Sequence, residues 1–306
     1  MRFTVDYPIG SAGFDRAFLD PPTMARFATL LDSLGFDAIA FTEHPAPSQK
    51  WLDSGGHESL DPLTALAFCA ATTTRLRLMT HLLVLPYRNP LVAAKQIATV
   101  DVLSAGRTTI AVGGGYLRSE FAAVGVDFDE RNALVDEALE VLTTVWTTED
   151  FQYAGRHFTA VGQASRPRPA QLPHPPLWIG GNSRKARERV ATFGQGWSPM
   201  LTAAQLSATT RTAAIESVEQ LAAAIGDLRR LLGEQGRDPD TVDVQVQWGE
   251  ASTMEGAPGE RLRVLEQLAS VGVTWVCLNP PRTEAERCFD QLAAYAEDVV
   301  APAREL

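Results

Sequence analysis

The sequence predicts an α/β protein, a (β/α)8 barrel, on three observations: strand-like and helix-like patterns alternate, the alternation recurs eight times, and it fills 306 residues as one domain. Alternating elements force parallel strands joined by right-handed crossovers, and eight such units are enough to close a barrel. The competing doubly wound sheet would carry a Gly-x-Gly-x-x-Gly turn after its first strand. Residues 7–13 lack that spacing, and Gly113-Gly114-Gly115 fails because Arg118 stands where the last glycine belongs.

Residues 3–7 read as the first strand, and Pro21-Pro22-Thr23 opens a helix of apolar period (Met24, Phe27, Leu30, Leu31, Leu34) that stops at Gly35. Strand two, residues 37–42, delivers Glu43 and His44 at its end, before a long polar loop. Asp61-Pro62, a cap followed by proline at the first helical position, starts the next helix. Strand three spans residues 75–85, and Asn89-Pro90 repeats the cap for a helix to Leu103. Strand four, residues 108–112, enters the glycine run, followed by helical segments broken near Gly125.

Residues 150–176 hold a hairpin around Gly155 and a proline-rich stretch, read as an insertion over one mouth of the barrel. Residues 177–179 are strand five, running through Gly180-Gly181 into a helix from Ser183, and 196–198 are a minimal strand six. Thr202 with Gln205 fits a capping box for an extended helical region to about Gln235, broken near Ser217 or Gly226. Residues 242–248 are strand seven, 259–271 a helix and 274–278 strand eight, and Thr283 with Glu286 caps the last helix.

Composition narrows the functions. A net charge of −10 with scattered cations argues against nucleic acid, and the apolar runs are far shorter than the roughly 20 residues of a membrane span. The N-terminus carries no export signal, so a cytoplasmic protein is expected. Cys69, Cys277 and Cys288 sit singly in apolar patterns, as buried thiols. Without His-x-His, His-x-x-x-His or a carboxylate cluster, no metal is expected.

In a barrel the C-terminal strand ends share one face, so Glu43, His44, Thr80, His81, residues 113–116, residues 180–183, Trp197, Trp248 and Asn279 gather there. His44 suits proton transfer, because its ordinary pKa lies near working pH. Glu43 reads equally as a cofactor acceptor or a strand-end cap, and His81 as a catalytic or a core histidine. Paired glycines and a helix N-terminus at residues 180–183 suit an anion. An ordinary turn capped by Asn182 or Ser183 has the same local pattern. Trp51, Tyr116, Trp197 and Trp248 suggest a small apolar or aromatic substrate.

These residues also carry a resemblance. Gly35-Phe36-Asp37-Ala38-Ile39-Ala40-Phe41-Thr42-Glu43-His44, Val84-Leu85-Pro86-Tyr87-Arg88-Asn89-Pro90, Leu103-Ser104-Ala105-Gly106-Arg107 leading to Val112-Gly113-Gly114-Gly115-Tyr116, Pro176-Leu177-Trp178-Ile179-Gly180-Gly181-Asn182-Ser183 and Gly194-Gln195-Gly196-Trp197 stand in order. Together they resemble the bacterial luciferase-like flavin and deazaflavin oxidoreductases, in particular the branch that uses coenzyme F420. The resemblance implies a cofactor phosphate on Gly180, Gly181, Asn182 and Ser183, and a cofactor ring at the mouth. It implies a third-strand bulge at Thr80 and His81, often with a non-prolyl cis peptide, and contacts to the cofactor from Gly114, Gly115 and Ser119. Glu43 and His44 match a carboxylate and histidine pair of deazaflavin dehydrogenases, and the family suggests a homodimer.

Two departures matter. His81 stands where many relatives have a small residue, and Tyr116 where sugar-phosphate dehydrogenases carry a catalytic carboxylate, which argues against that substrate class. The expected reaction is hydride transfer between F420 and a small organic substrate. The alternatives are FMN-dependent oxygen activation, which a deazaflavin does not readily support, and a non-catalytic flavin-binding protein.

Overall fold

A computed structural model describes residues 1–201, 212–254 and 256–306. Eight parallel strands close into a barrel: β1 (Arg2–Asp6), β2 (Ala38–Phe41), β3 (Arg77–Val84), β4 (Thr108–Gly113), β7 (Leu177–Gly180), β8 (Gly196–Ser198), β9 (Asp243–Val246) and β10 (Trp275–Leu278), which pairs back onto β1. Between β4 and β7, β5 (Phe151–Ala154) and β6 (Thr159–Gln163) form an antiparallel hairpin, in the expected insertion. The helices outside are α1 (Pro21–Leu34), α3 (Pro62–Thr72), α4 (Pro90–Leu103), α5 (Arg118–Ala123), α6 (Arg131–Val145), α7 (Arg184–Phe193) and the later helices Val218–Glu234, Pro258–Ser270 and Ala285–Tyr295.

Alternation along each strand makes two cores. Ala38, Ala40, Met79, Ala111, Trp178 and Trp275 fill the barrel, while a larger cluster, including Phe3, Ile39, Leu78, Val112 and Trp197, packs between strands and helices. Thr4 and Gln245 face inward, the Thr4 hydroxyl donating to Gln245 Oε1 at 2.6 Å, while Gln245 Nε2 is buried without a partner among the described residues. The outer helices start as the sequence indicates: Asp61 accepts from the Thr64 N–H, Asn89 from Leu91 and Ser183 from Ala186.

Some details differ from the sequence reading. The polar loop after β2 contains a short helix, α2 (Gln49–Asp53), capped by Ser48. Glu284, not Thr283, is the cap residue of the last helix, and its side chain makes no capping bond; Asp15 reaches across the fold to accept from the Ala285 N–H at 3.0 Å. The proposed Thr202 and Gln205 capping box lies outside the described residues. The helix that follows begins after Ser217 and runs through Gly226 without a break. Among the described residues no helix is long and apolar enough to cross a membrane.

Candidate active site

A cavity of about 580 Å³ opens at the C-terminal ends of the strands. Of the residues anticipated there, Glu43, His44, His81, Gly113, Gly114, Gly115, Tyr116, Gly180, Gly181, Ser183 and Asn279 line it.

His44 follows β2 and is almost wholly buried. Its Nδ1 lies 3.0 Å from Oε2 of Glu120, a carboxylate buried on α5. Because a carboxylate only accepts, Nδ1 carries a hydrogen, and Nε2 lies 3.5 Å from the Tyr116 hydroxyl. Glu120 is fixed in turn by the Tyr87 hydroxyl at 3.1 Å and the Ala46 N–H at 3.2 Å. Burial, and then the Glu120 charge, push the Tyr116 hydroxyl up to about 12, so it stays protonated as a donor. Trp51 packs against His44 with ring centroids 4.6 Å apart and the rings tilted by 39°, beside the cavity rather than in its lining.

Glu43 is committed elsewhere. One oxygen accepts the Val84 N–H at 2.6 Å and the other pairs with the Arg88 guanidinium. Burial raises its pKa against the opposing pull of Arg88, and the pair ties the end of β2 to the turn after β3.

The β3 bulge falls between Thr80 and Leu83, and the cis peptide is His81-Leu82, one bond beyond the expected Thr80 and His81. Both His81 and Leu82 line the cavity. Thr80 faces away, its hydroxyl donating to the Ala111 carbonyl at 2.7 Å. Leu82 lies so close to Gly180 that a Cβ there would stand 2.3 Å from its Cδ1, which accounts for that glycine.

His81 Nδ1 sits 3.0 Å from Asp6 Oδ1 and 3.6 Å from Cys277 Sγ, and its Nε2 is 3.5 Å from the Ser198 hydroxyl. Burial alone would lower the His81 pKa, but the Asp6 charge and hydrogen bond outweigh it and the net shift is upward. Cys277 is pushed well above the usual thiol range by burial and by Asp6, so the thiol is protonated.

On the opposite wall β7 enters the turn at Gly181, whose φ of +103° requires glycine, and Ser183 caps α7. Lys185 and Arg189 both reach Asp136, at 2.8 and 2.6 Å, so two cations share one carboxylate beside the helix N-terminus. Burial would raise the Asp136 pKa, but those two cations hold it below the usual range. Arg131 also lines this wall. The basic run 184–189 is therefore split, since Arg184 pairs with Glu188 on the surface and Arg187 with Asp227.

Several anticipated contacts lie outside the lining. Asn182 is a buried clamp that exchanges hydrogen bonds with the Met200 backbone at 2.6 and 2.8 Å. Trp197 points outward from β8 and donates to the Gly181 carbonyl at 2.9 Å. Trp248 packs against the outer core, and Ser119 on α5 does not reach the cavity. Conversely, Asp6, Glu120, Arg131 and Ser198 line it without having been given a role. Asp6, the last residue of β1, carried the clearest signal: it is a second strand-end carboxylate beside Glu43.

The luciferase-like monooxygenase family profile matches residues 1–249. The chain is 35% identical over 135 residues to the FMNH2-dependent dimethylsulfone monooxygenase of Pseudomonas putida, covering 43% of this chain and 36% of that protein. It is 27% identical over 181 residues to the F420-dependent glucose-6-phosphate dehydrogenase of Amycolatopsis mediterranei, covering 58% and 53%. It thus spans about half or less of the length of these two relatives. The crystal structure of a monooxygenase from Streptomyces bottropensis superposes with a TM-score of 0.82 at 22% identity, over 99% of each chain.

Proposed function

The chain belongs to the luciferase-like monooxygenase family, and from that premise we propose that it transfers hydride between coenzyme F420 and a small, largely apolar or aromatic organic substrate. The observation that carries this reading is the His44 and Glu120 pair, whose Nε2 faces the same cavity as the anion-suited wall at Gly181 and Ser183. The residues fit such a cofactor. Lys185, Arg189 and the α7 N-terminus would hold its phosphate, and Leu82, Gly114 and Tyr116 would border its ring.

A bound deazaflavin would supply the hydride chemistry. His44 would then accept a substrate hydroxyl proton at Nε2, or return one in the reverse direction, while Glu120 stabilises the imidazolium. Asp6 keeps the His81 imidazole oriented on the cavity floor. Sugar phosphates are not proposed as substrates, because Tyr116 stands where a carboxylate would be needed.

A second reading, reduced FMN with oxygen, is favoured by the relative from Pseudomonas putida. Fluorescence quenching on adding each cofactor to the protein decides between them. Tight F420 binding is expected, and tight FMN binding with none for F420 would overturn the preferred reading. If His44→Ala left turnover untouched, the catalytic role would fall and a non-catalytic binding protein would gain support. We also expect a homodimer, because Phe68 of α3 and Val92, Val102 and Leu103 of α4 are exposed apolar side chains. Light scattering that gave a monomer would contradict it.

A further inference from the structure

We propose that Asp6, His81 and Cys277 form a binding site for a thiophilic divalent cation of the Zn2+ class on the floor of the cavity. The three residues come from the ends of β1, β3 and β10, strands that are far apart in sequence and that the closed barrel brings together. Their ligating atoms all lie within 4.8 Å of one another.

The spacing matches the ion. Tetrahedral zinc with N and O ligands at about 2.0–2.2 Å and S at about 2.3 Å needs ligand atoms roughly 3.3–3.6 Å apart. Nδ1 of His81 stands 3.0 and 3.2 Å from the two Asp6 oxygens and 3.6 Å from Cys277 Sγ, and Asp6 and Cys277 lie within 4.8 Å of each other, so the ion is admitted by a small outward shift of Asp6 from His81 and a closing of Asp6 and Cys277 around it. The donor set selects among cations. One imidazole, one thiolate and one carboxylate suit Zn2+ or Co2+, whereas Mg2+ and Ca2+ need shells made mainly of oxygen. Two ligand charges balance a dication, so the buried site is neutral when filled.

Outer groups are also in place. His81 Nε2 faces the Ser198 hydroxyl at 3.5 Å, and Asp6 Oδ2 accepts from the Gln247 side chain at 3.3 Å. Asp6 and His81 line the cavity, which gives the ion an entry path and an open fourth position. Binding forms bonds from the ion to Oδ, Nδ1 and Sγ; the Cys277 proton leaves to solvent, and His81 ligates as the neutral imidazole with its hydrogen at Nε2, facing the Ser198 hydroxyl. The three ligands are side chains of this chain alone.

Co2+ titration of the full chain, with Zn2+ competition, tests the site. A thiolate-to-cobalt charge-transfer band saturating at one equivalent is expected. Cys277→Ser should abolish it and weaken Zn2+ on the order of 100-fold or more, while Cys69→Ser and Cys288→Ser leave both unchanged. Absence of the band in the parent protein, or its survival in Cys277→Ser, overturns the proposal. Should Cys277→Ser fail to fold, Asp6→Asn serves instead, and an unchanged Zn2+ affinity there is equally fatal to it.

Discussion

The two ends of the barrel use charge differently. At the N-terminal end, Asp32 accepts from the backbone N–H groups of Thr74, Arg75 and Leu76 at 2.8–3.1 Å, and Arg107 donates to the carbonyls of Ala70, Thr73, Leu76 and Ser104 at 2.7–3.1 Å. Arg304 pairs with Asp37, and Arg2 with Asp243. These charges close chain ends and loops. At the C-terminal mouth, carboxylates instead orient histidines whose second nitrogen faces the mouth: Glu120 holds His44, and Asp6 holds His81. The N-terminal end uses charge to fix backbone; the mouth does so at Glu43, which accepts from the Val84 N–H, and in addition uses carboxylates to orient two histidines beside a cavity.

The largest effect that would break this contrast is on turnover. For the proposed reaction, His44→Ala should lower kcat/KM about 100- to 10,000-fold with little change in Tm, measured by cofactor absorbance and by thermal melts. Glu120→Gln should fall between that variant and the parent. A Tm loss matching the activity loss would make His44 structural and erase the distinction.

At the opposite end the expectation reverses. Arg107→Ala removes several charged hydrogen bonds to backbone and should cost about 2–4 kcal/mol of stability in denaturant unfolding, while the protein that stays folded binds cofactor normally.

Stability against pH sharpens the comparison further. Burial alone would raise the Asp32 pKa, but its backbone partners hold it below the ordinary 3.8, so its contribution is present above that value and lost as pH falls. The His81 pKa is held above 6.5 by Asp6 despite burial, so its contribution is full below 6.5 and lost as pH rises through the folded value. Melts across pH should therefore lose the acid-side slope in Asp32→Asn and the slope above pH 6.5 in His81→Gln. The smallest effect is Ser183→Ala, which removes the α7 cap and should cost about 1 kcal/mol.

Barrel and mouth were legible in the sequence because both are periodic: strand ends recur, and Asp61, Asn89 and Ser183 cap helices where local pattern says they must. Partners were less legible. Glu120 is an ordinary helical glutamate until α5 folds against His44, and Asp6 and Cys277 meet His81 only when β10 closes on β1. A search for ligands at short sequence spacing therefore cannot find the trio. Trp197 misled because it follows a strand-end pattern, yet an outward position on β8 buries it against helices. The motif around Arg107, read as part of the resemblance, proves to stitch the far end of the barrel.

Cofactor affinity of Ser183→Asp tests the central claim most directly. Aspartate also caps a helix, so α7 and Tm should persist, but it puts a negative charge where the mouth is held to take a phosphate. Equilibrium fluorescence titration should show cofactor binding weakened on the order of 100-fold or more at unchanged Tm, the effect of about 3 kcal/mol of charge repulsion and lost contacts. Binding at the parent's affinity would contradict the account, because the turn would then be only a cap.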